Sequence, residues 1–168
     1  MKQSCDKIDN NNGNYNAEGR STHYGYGRLN AKKAATLARP ALPKYTAIHT
    51  AVQDVAIKDL NTSTLSLSVG DDSPVKSIKV ILDIEHTYIG DLIVQLKTPQ
   101  NMNQTPIILH NKFGGGTNNI KRTFDTVNTP DLSNLLGKNP QGKWQLEVED
   151  TARADTGKIR KFTVELGL

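Results

Sequence analysis

At 168 residues the chain is about one domain long, with room for a short appendage. Its 36% hydrophobic content can build a core, yet no apolar run exceeds three residues, which excludes a membrane-spanning helix of about 20. The net charge of +4 is uneven: residues 1 to 50 hold 8 Lys/Arg against 3 Asp/Glu, and residues 51 to 168 hold 13 against 14. The basic excess therefore belongs to the first segment alone, and pairs such as Lys32-Lys33 and Lys121-Arg122 do not form the stripe that a nucleic acid needs. Neither nucleic acid nor membrane is an expected partner.

Met1-Lys2-Gln3-Ser4-Cys5-Asp6 carries no apolar stretch, so no signal peptide lies in these residues. Cys5 is the only cysteine and can make neither an internal disulfide nor a multi-cysteine zinc site. Asn10-Asn11-Asn12-Gly13-Asn14 reads as an exposed turn, because Asn and Gly tolerate positive φ. The spacing of Ala31, Ala34, Ala35 and Ala38 predicts a short helix with Asn30 as its N-cap, stopped by Pro40 and Pro43. A helix this short needs something to pack on.

From about residue 50 the period becomes two. Leu65, Leu67 and Val69 alternate with hydroxyl residues, and a turn follows at Gly70-Asp71-Asp72-Ser73-Pro74. The alternation returns in Ile78, Val80, Leu82 and Ile84; in Leu92, Val94 and Leu96; in Trp144, Leu146 and Val148; and in Phe162, Val164 and Leu166. Shorter candidates are Val55-Ala56-Ile57 and Ile107-Ile108-Leu109, while Thr129-Pro130-Asp131-Leu132 opens a helical turn ending near Gly137. Many short alternating strands with turns and no helices between them predict an all-β fold, an antiparallel sandwich of jelly-roll or immunoglobulin-like kind behind a short N-terminal loop and helix segment, and the missing Cys…Trp…Cys spacing argues against a true immunoglobulin domain.

The chemistry visible in this pattern is sparse. None of His23, His49, His86 and His110 lies in a nucleophile or HExxH motif, no GxSxG or GTSxA-type serine turn occurs, and each histidine is expected at a loop or strand edge. Gly114-Gly115-Gly116 has no Walker lysine and reads as a flexible β-loop. Asp91 opens a strand, Asp150 closes the Trp144 strand and Asp155 precedes Thr156-Gly157. Carboxylates at the ends of several strands suit calcium, which takes many oxygen ligands, and Asp91, Asp150 and Asp155 are the candidate set; alternatively each closes its own turn. Asp71-Asp72 is a more exposed pair. Trp144 is expected in the core rather than on a ligand face.

Two sets of residues resemble a known family. His86-Thr87-Tyr88-Ile89-Gly90-Asp91-Leu92 with Pro99, Gly142-Lys143-Trp144-Gln145-Leu146-Glu147-Val148-Glu149-Asp150, and Asp155-Thr156-Gly157-Lys158-Ile159 resemble the P domain (Homo B domain) of proprotein convertases, over about residues 52 to 168. Phe162 departs from the tryptophan frequent there. Tyr24-Gly25-Tyr26-Gly27-Arg28-Leu29-Asn30-Ala31 looks like the closing segment of a subtilisin-like catalytic domain, whose Asp, His and Ser would lie upstream. The resemblance implies residues 1–45 as a protease-domain tail with linker and residues 50–168 as a P domain folded as an antiparallel jelly-roll β-sandwich, galactose-binding-like. It also implies no catalytic residue in this chain, the catalytic domain of the same polypeptide as partner, and protein substrate as a further one. Folding support, calcium dependence and secretion, with a signal peptide upstream, are expected of the parent bacterial protease. The rival expectation is a stand-alone calcium-dependent module binding collagen or polysaccharide, although residues 50–168 offer one Trp and one Tyr for stacking.

Overall fold

The computed structural model describes residues 2–38 and 43–168, with side chains placed for 3–35 and 43–168. The chain divides into two compact units, 1–41 and 42–168.

In the first unit, β1 (Cys5–Asp6) pairs antiparallel with β2 (Arg28–Leu29), and α1 (Ala31–Ala38) follows. Asn30 caps α1: its Oδ1 accepts the Lys33 N–H at 2.9 Å, while its Nδ2 donates to Asp6 at 2.7 Å. The expected alanine face is only partly covered, for Ala34 is half-buried and Ala31 and Ala35 are exposed; the stop expected at Pro40 lies outside the described residues. The loops are closed by side chains acting on nearby backbone, with Asp9 accepting from Asn12, Asn16 from Glu18 and Arg20, and Ser21 from His23 and Tyr24.

The second unit has eight antiparallel strands: β3 (Thr46–Ile57), β4 (Asn61–Val69), β5 (Ser77–His86), β6 (Leu92–Lys97), β7 (Ile107–Asn111), β8 (Ile120–Asp125), β9 (Gly142–Asp150) and β10 (Gly157–Gly167). They form two sheets, ordered β3-β10-β5-β8 and β4-β9-β6-β7, which is the interleaved double Greek key of a jelly roll. The alternation visible in the sequence becomes the shared core. Leu65, Leu67, Ile84, Val94, Trp144 and Leu146 all point inward and are buried. Trp144 has no exposed surface, and its indole N–H donates to the Pro140 carbonyl at 2.9 Å.

β10 breaks strict alternation: a register shift between Ile159 and Lys161 adds one residue, so Ile159 and Phe162 both face the core although their numbers differ by an odd step. The predicted helical turn is a 3-10 helix over Pro130–Leu135, which plugs one end of the sandwich with Leu132 and Leu135. At the other end the loops after β3, β5, β7 and β9 gather, and the candidate site lies there.

Candidate functional site

β5 carries its alternation through Ile78, Val80, Leu82 and Ile84 to His86, and β9 carries Trp144, Leu146 and Val148 to Asp150. The same phase that buries the apolar residues sends His86 and Asp150 inward at the loop end of the two facing sheets. Their side chains are 0% and 1% exposed, and His86 Nε2 lies 3.2 Å from Asp150 Oδ2. The other imidazole nitrogen, Nδ1, lies 2.9 Å from the Tyr88 carbonyl oxygen and 3.2 Å from the Tyr88 N–H. Asp150 Oδ1 accepts the Ala152 N–H at 3.1 Å. A buried polar pair is tolerable only when its atoms are satisfied in this way. Gly157 makes the fit possible: a methyl group there would press into the His86 ring and the Glu85 carbonyl oxygen.

The loop after β5 is anchored just as closely. Asn119 Oδ1 accepts the His86 N–H at 3.1 Å, and the Asn119 N–H returns to the His86 carbonyl at 3.1 Å. The backbone N–H groups of Ile89 and Gly90 donate to the carbonyls of Thr117 and Gly115, each at 3.0 Å. Gly90 packs against Gly115 so closely that a Cβ on it would stand 2.9 Å from the Gly115 Cα. Beside this loop lies an open cleft of about 370 Å³, bordered by Glu85, Thr87, Asn118, Asn119, Thr156 and Lys158.

The calcium candidates occupy this end without converging. The Asp91 carbonyl accepts from the backbone and hydroxyl of Thr151 at 3.0 and 2.7 Å, leaving its carboxylate apart from those contacts. Both Asp150 oxygens are engaged as described, and Asp155 Oδ1 accepts the Thr87 hydroxyl at 2.8 Å. Among the described residues no group of three or more His, Cys, Asp or Glu side chains is placed to hold a metal ion. Asp150 and Asp155 are thus engaged in hydrogen bonds with His86, Ala152 and Thr87. Asp71 lies at the opposite end, between the Tyr45 hydroxyl at 2.9 Å and His49 Nε2 at 3.1 Å; the hydrogen bond it accepts from Tyr45 holds that phenol above its ordinary pKa.

Two of the four histidines, His86 at the end of β5 and His110 on the edge strand β7, are buried. His110, on β7, donates from Nε2 to the Ile89 carbonyl at 2.8 Å, and burial holds its pKa below the ordinary value. Among the described residues neither buried histidine has a serine or cysteine hydrogen-bonded to a ring nitrogen, the contact by which a nucleophilic triad is recognised. The His86–Asp150 couple escaped the search for motifs, yet its signal was present in the alternation, where each residue ends a run on the core-facing phase.

Comparison with known proteins decides what this end belongs to. The proprotein convertase P-domain matches residues 75–166. The chain belongs to the P-domain family. Proteins named calcium-dependent protease from Nostoc sp. and Trichormus variabilis are 62% and 60% identical to it over 167 residues, covering 99% of this chain and 25% of each relative. This P domain together with the residues before it therefore spans about a quarter of the length of those relatives. A serine protease of Aeromonas sobria shares the fold, with a TM-score of 0.57 at 19% identity over 90% of this chain and 32% of that one.

Proposed function

We propose that the chain serves a secreted bacterial subtilisin-like serine endopeptidase as its non-catalytic P domain, supporting the folding and stability of the catalytic domain of the same polypeptide. The observation that carries this reading is the P-domain match over the sandwich, joined to high identity with proteases of which this chain is a quarter. Both ring nitrogens of the buried His86 are engaged, one with Asp150 and one with Tyr88, which suits a couple that holds loops in place. A domain that docks only on the folded protease shifts the folding equilibrium by linkage, and each tenfold gain in that contact is worth about 1.4 kcal/mol.

Calcium dependence is part of the proposal for the whole protease, motivated by the relatives named calcium-dependent protease. The rival sugar-binding reading loses its best platform, because Trp144 is fully buried. The test uses the full-length protease with and without residues 46–168. Deletion lowers the melting temperature of the catalytic domain and its yield of active enzyme, while the isolated chain cleaves no casein. Casein cleavage by the isolated chain, blocked by a serine-directed inhibitor, would overturn the reading.

A further inference from the structure

β7 and β8 are the last strands of their sheets and lie on the same flank of the sandwich. The core comes to the surface between them in a pocket of about 150 Å³, close to the space that one aromatic ring or branched aliphatic side chain fills. Its walls include Ile89, His110, Phe113, Ile120 and Phe124. The His110 and Phe113 rings lie 4.2 Å apart at 43°, and Phe113 is half exposed.

One residue at this pocket breaks the pattern of its strand. Along β8 the core-facing phase runs Ile120, Arg122, Phe124, so a guanidinium stands where an apolar side chain is expected. Arg122 lies over the Phe124 ring, 5.2 Å from its centroid, and bonds to no carboxylate among the described residues. The ammonium of Lys121, on the opposite face of the strand, is already committed to Asp83 at 3.5 Å. Burial lowers the His110 pKa, with the Arg122 charge adding to the effect. The pocket is thus apolar inside with one uncommitted, planar cation at its mouth, a geometry that suits a carboxylate fixed a short distance from an apolar group.

We propose that this pocket binds the free C-terminal residue of a polypeptide, taking an apolar final side chain between Phe113 and Phe124 and its α-carboxylate on Arg122. An internal peptide segment has the side chain without the charge, and an acidic side chain has the charge without the apolar group. The inference does not depend on the protease assignment.

The test titrates the 168-residue chain, followed by amide chemical shifts, with acetyl-Ala-Ala-Phe as the free acid and as the C-terminal amide. The acid shifts the amides of Ile89, His110 and Ile120 and saturates, while the amide binds roughly tenfold more weakly for want of the charged contact. Arg122→Glu and Phe113→Ala, both exposed positions, each weaken the acid by at least about the same factor with an unchanged melting curve. Equal binding of acid and amide, absence of binding, or shifts confined to another face would each overturn the proposal. The acid-against-amide comparison needs no variant, so it stands even if a substitution disturbs the fold.

Discussion

Residues 42–168 bury one continuous apolar core, and every buried apolar side chain among the described residues lies between Ile57 and Leu168. Among the described side chains of residues 1–41 those withdrawn from water are Ser4 and Ser21, and two strands of two residues each, a capped helix and side-chain-to-backbone bonds supply the order. The difference teaches where stability resides. Apolar burial contributes about 25 cal/mol per Å² and accumulates over a whole sandwich, whereas a single exposed hydrogen bond nets about 1 kcal/mol. The first unit should therefore open locally at far lower cost than the second.

The comparison is broken most forcefully at Trp144. Replacing it by Ala removes the largest fully buried side chain and strands the Pro140 carbonyl, so the sandwich loses roughly 4 kcal/mol, read by far-UV circular dichroism in urea because the only tryptophan is gone. A loss below about 1 kcal/mol would mean that the sandwich does not rest on this core.

The His86–Asp150 couple tests whether polar atoms hold the core's loop end as firmly as apolar ones hold its middle. Asp150→Ala leaves the buried imidazole and the Ala152 N–H without their acceptor and costs about 3 kcal/mol, while Asp150→Asn keeps an acceptor and costs less. Amide exchange of Thr87 to Asp91 should rise with the loss. If both variants melt like the parent, the couple contributes nothing to the fold.

How much of this was legible in the sequence depends on whether a residue's neighbour is local. β4, β5, β6, β9 and β10 were visible because their inward residues repeat every second position, and the helix cap at Asn30 because a cap acts within three residues. β8 was not, since Arg122 interrupts its apolar phase, and most of β3 was not, because its edge position leaves Ile48 and Val52 exposed. Strand order was hidden altogether, as β10 threads between β3 and β5 across the whole chain. At the site, Asp91, Asp150 and Asp155 could be placed at strand ends, but whether they converge depends on loop paths. The partner that Asp150 takes, His86, was readable only by extending two alternations to their last residues.

Acidity sharpens the comparison next, with a smaller effect. Burial holds the His110 pKa below its ordinary value of 6.5, with the Ile89 carbonyl opposing and Arg122 assisting. The unfolded ring then takes up a proton near pH 6.5 while the folded ring stays neutral, so stability is complete above that pH and falls as pH drops toward the folded value. His110→Gln, which still offers a donor to Ile89, should flatten this slope between about pH 7 and 5 in urea titrations. An unchanged slope would assign the acid sensitivity to other groups.

The smallest effect sharpens the comparison from the other side. Asn30→Ala removes the acceptor of the Lys33 N–H and the donor to Asp6, and a lost cap costs about 1 kcal/mol. That energy is small against the sandwich core but large against a unit with no buried apolar side chain among its described residues. The substitution should thus abolish amide-exchange protection of Lys33 and Ala34 while Trp144 fluorescence reports the same urea midpoint. A midpoint that moves with the cap would show that the two units share one cooperative transition, in which case the polar unit is held by the core and not by its own bonds.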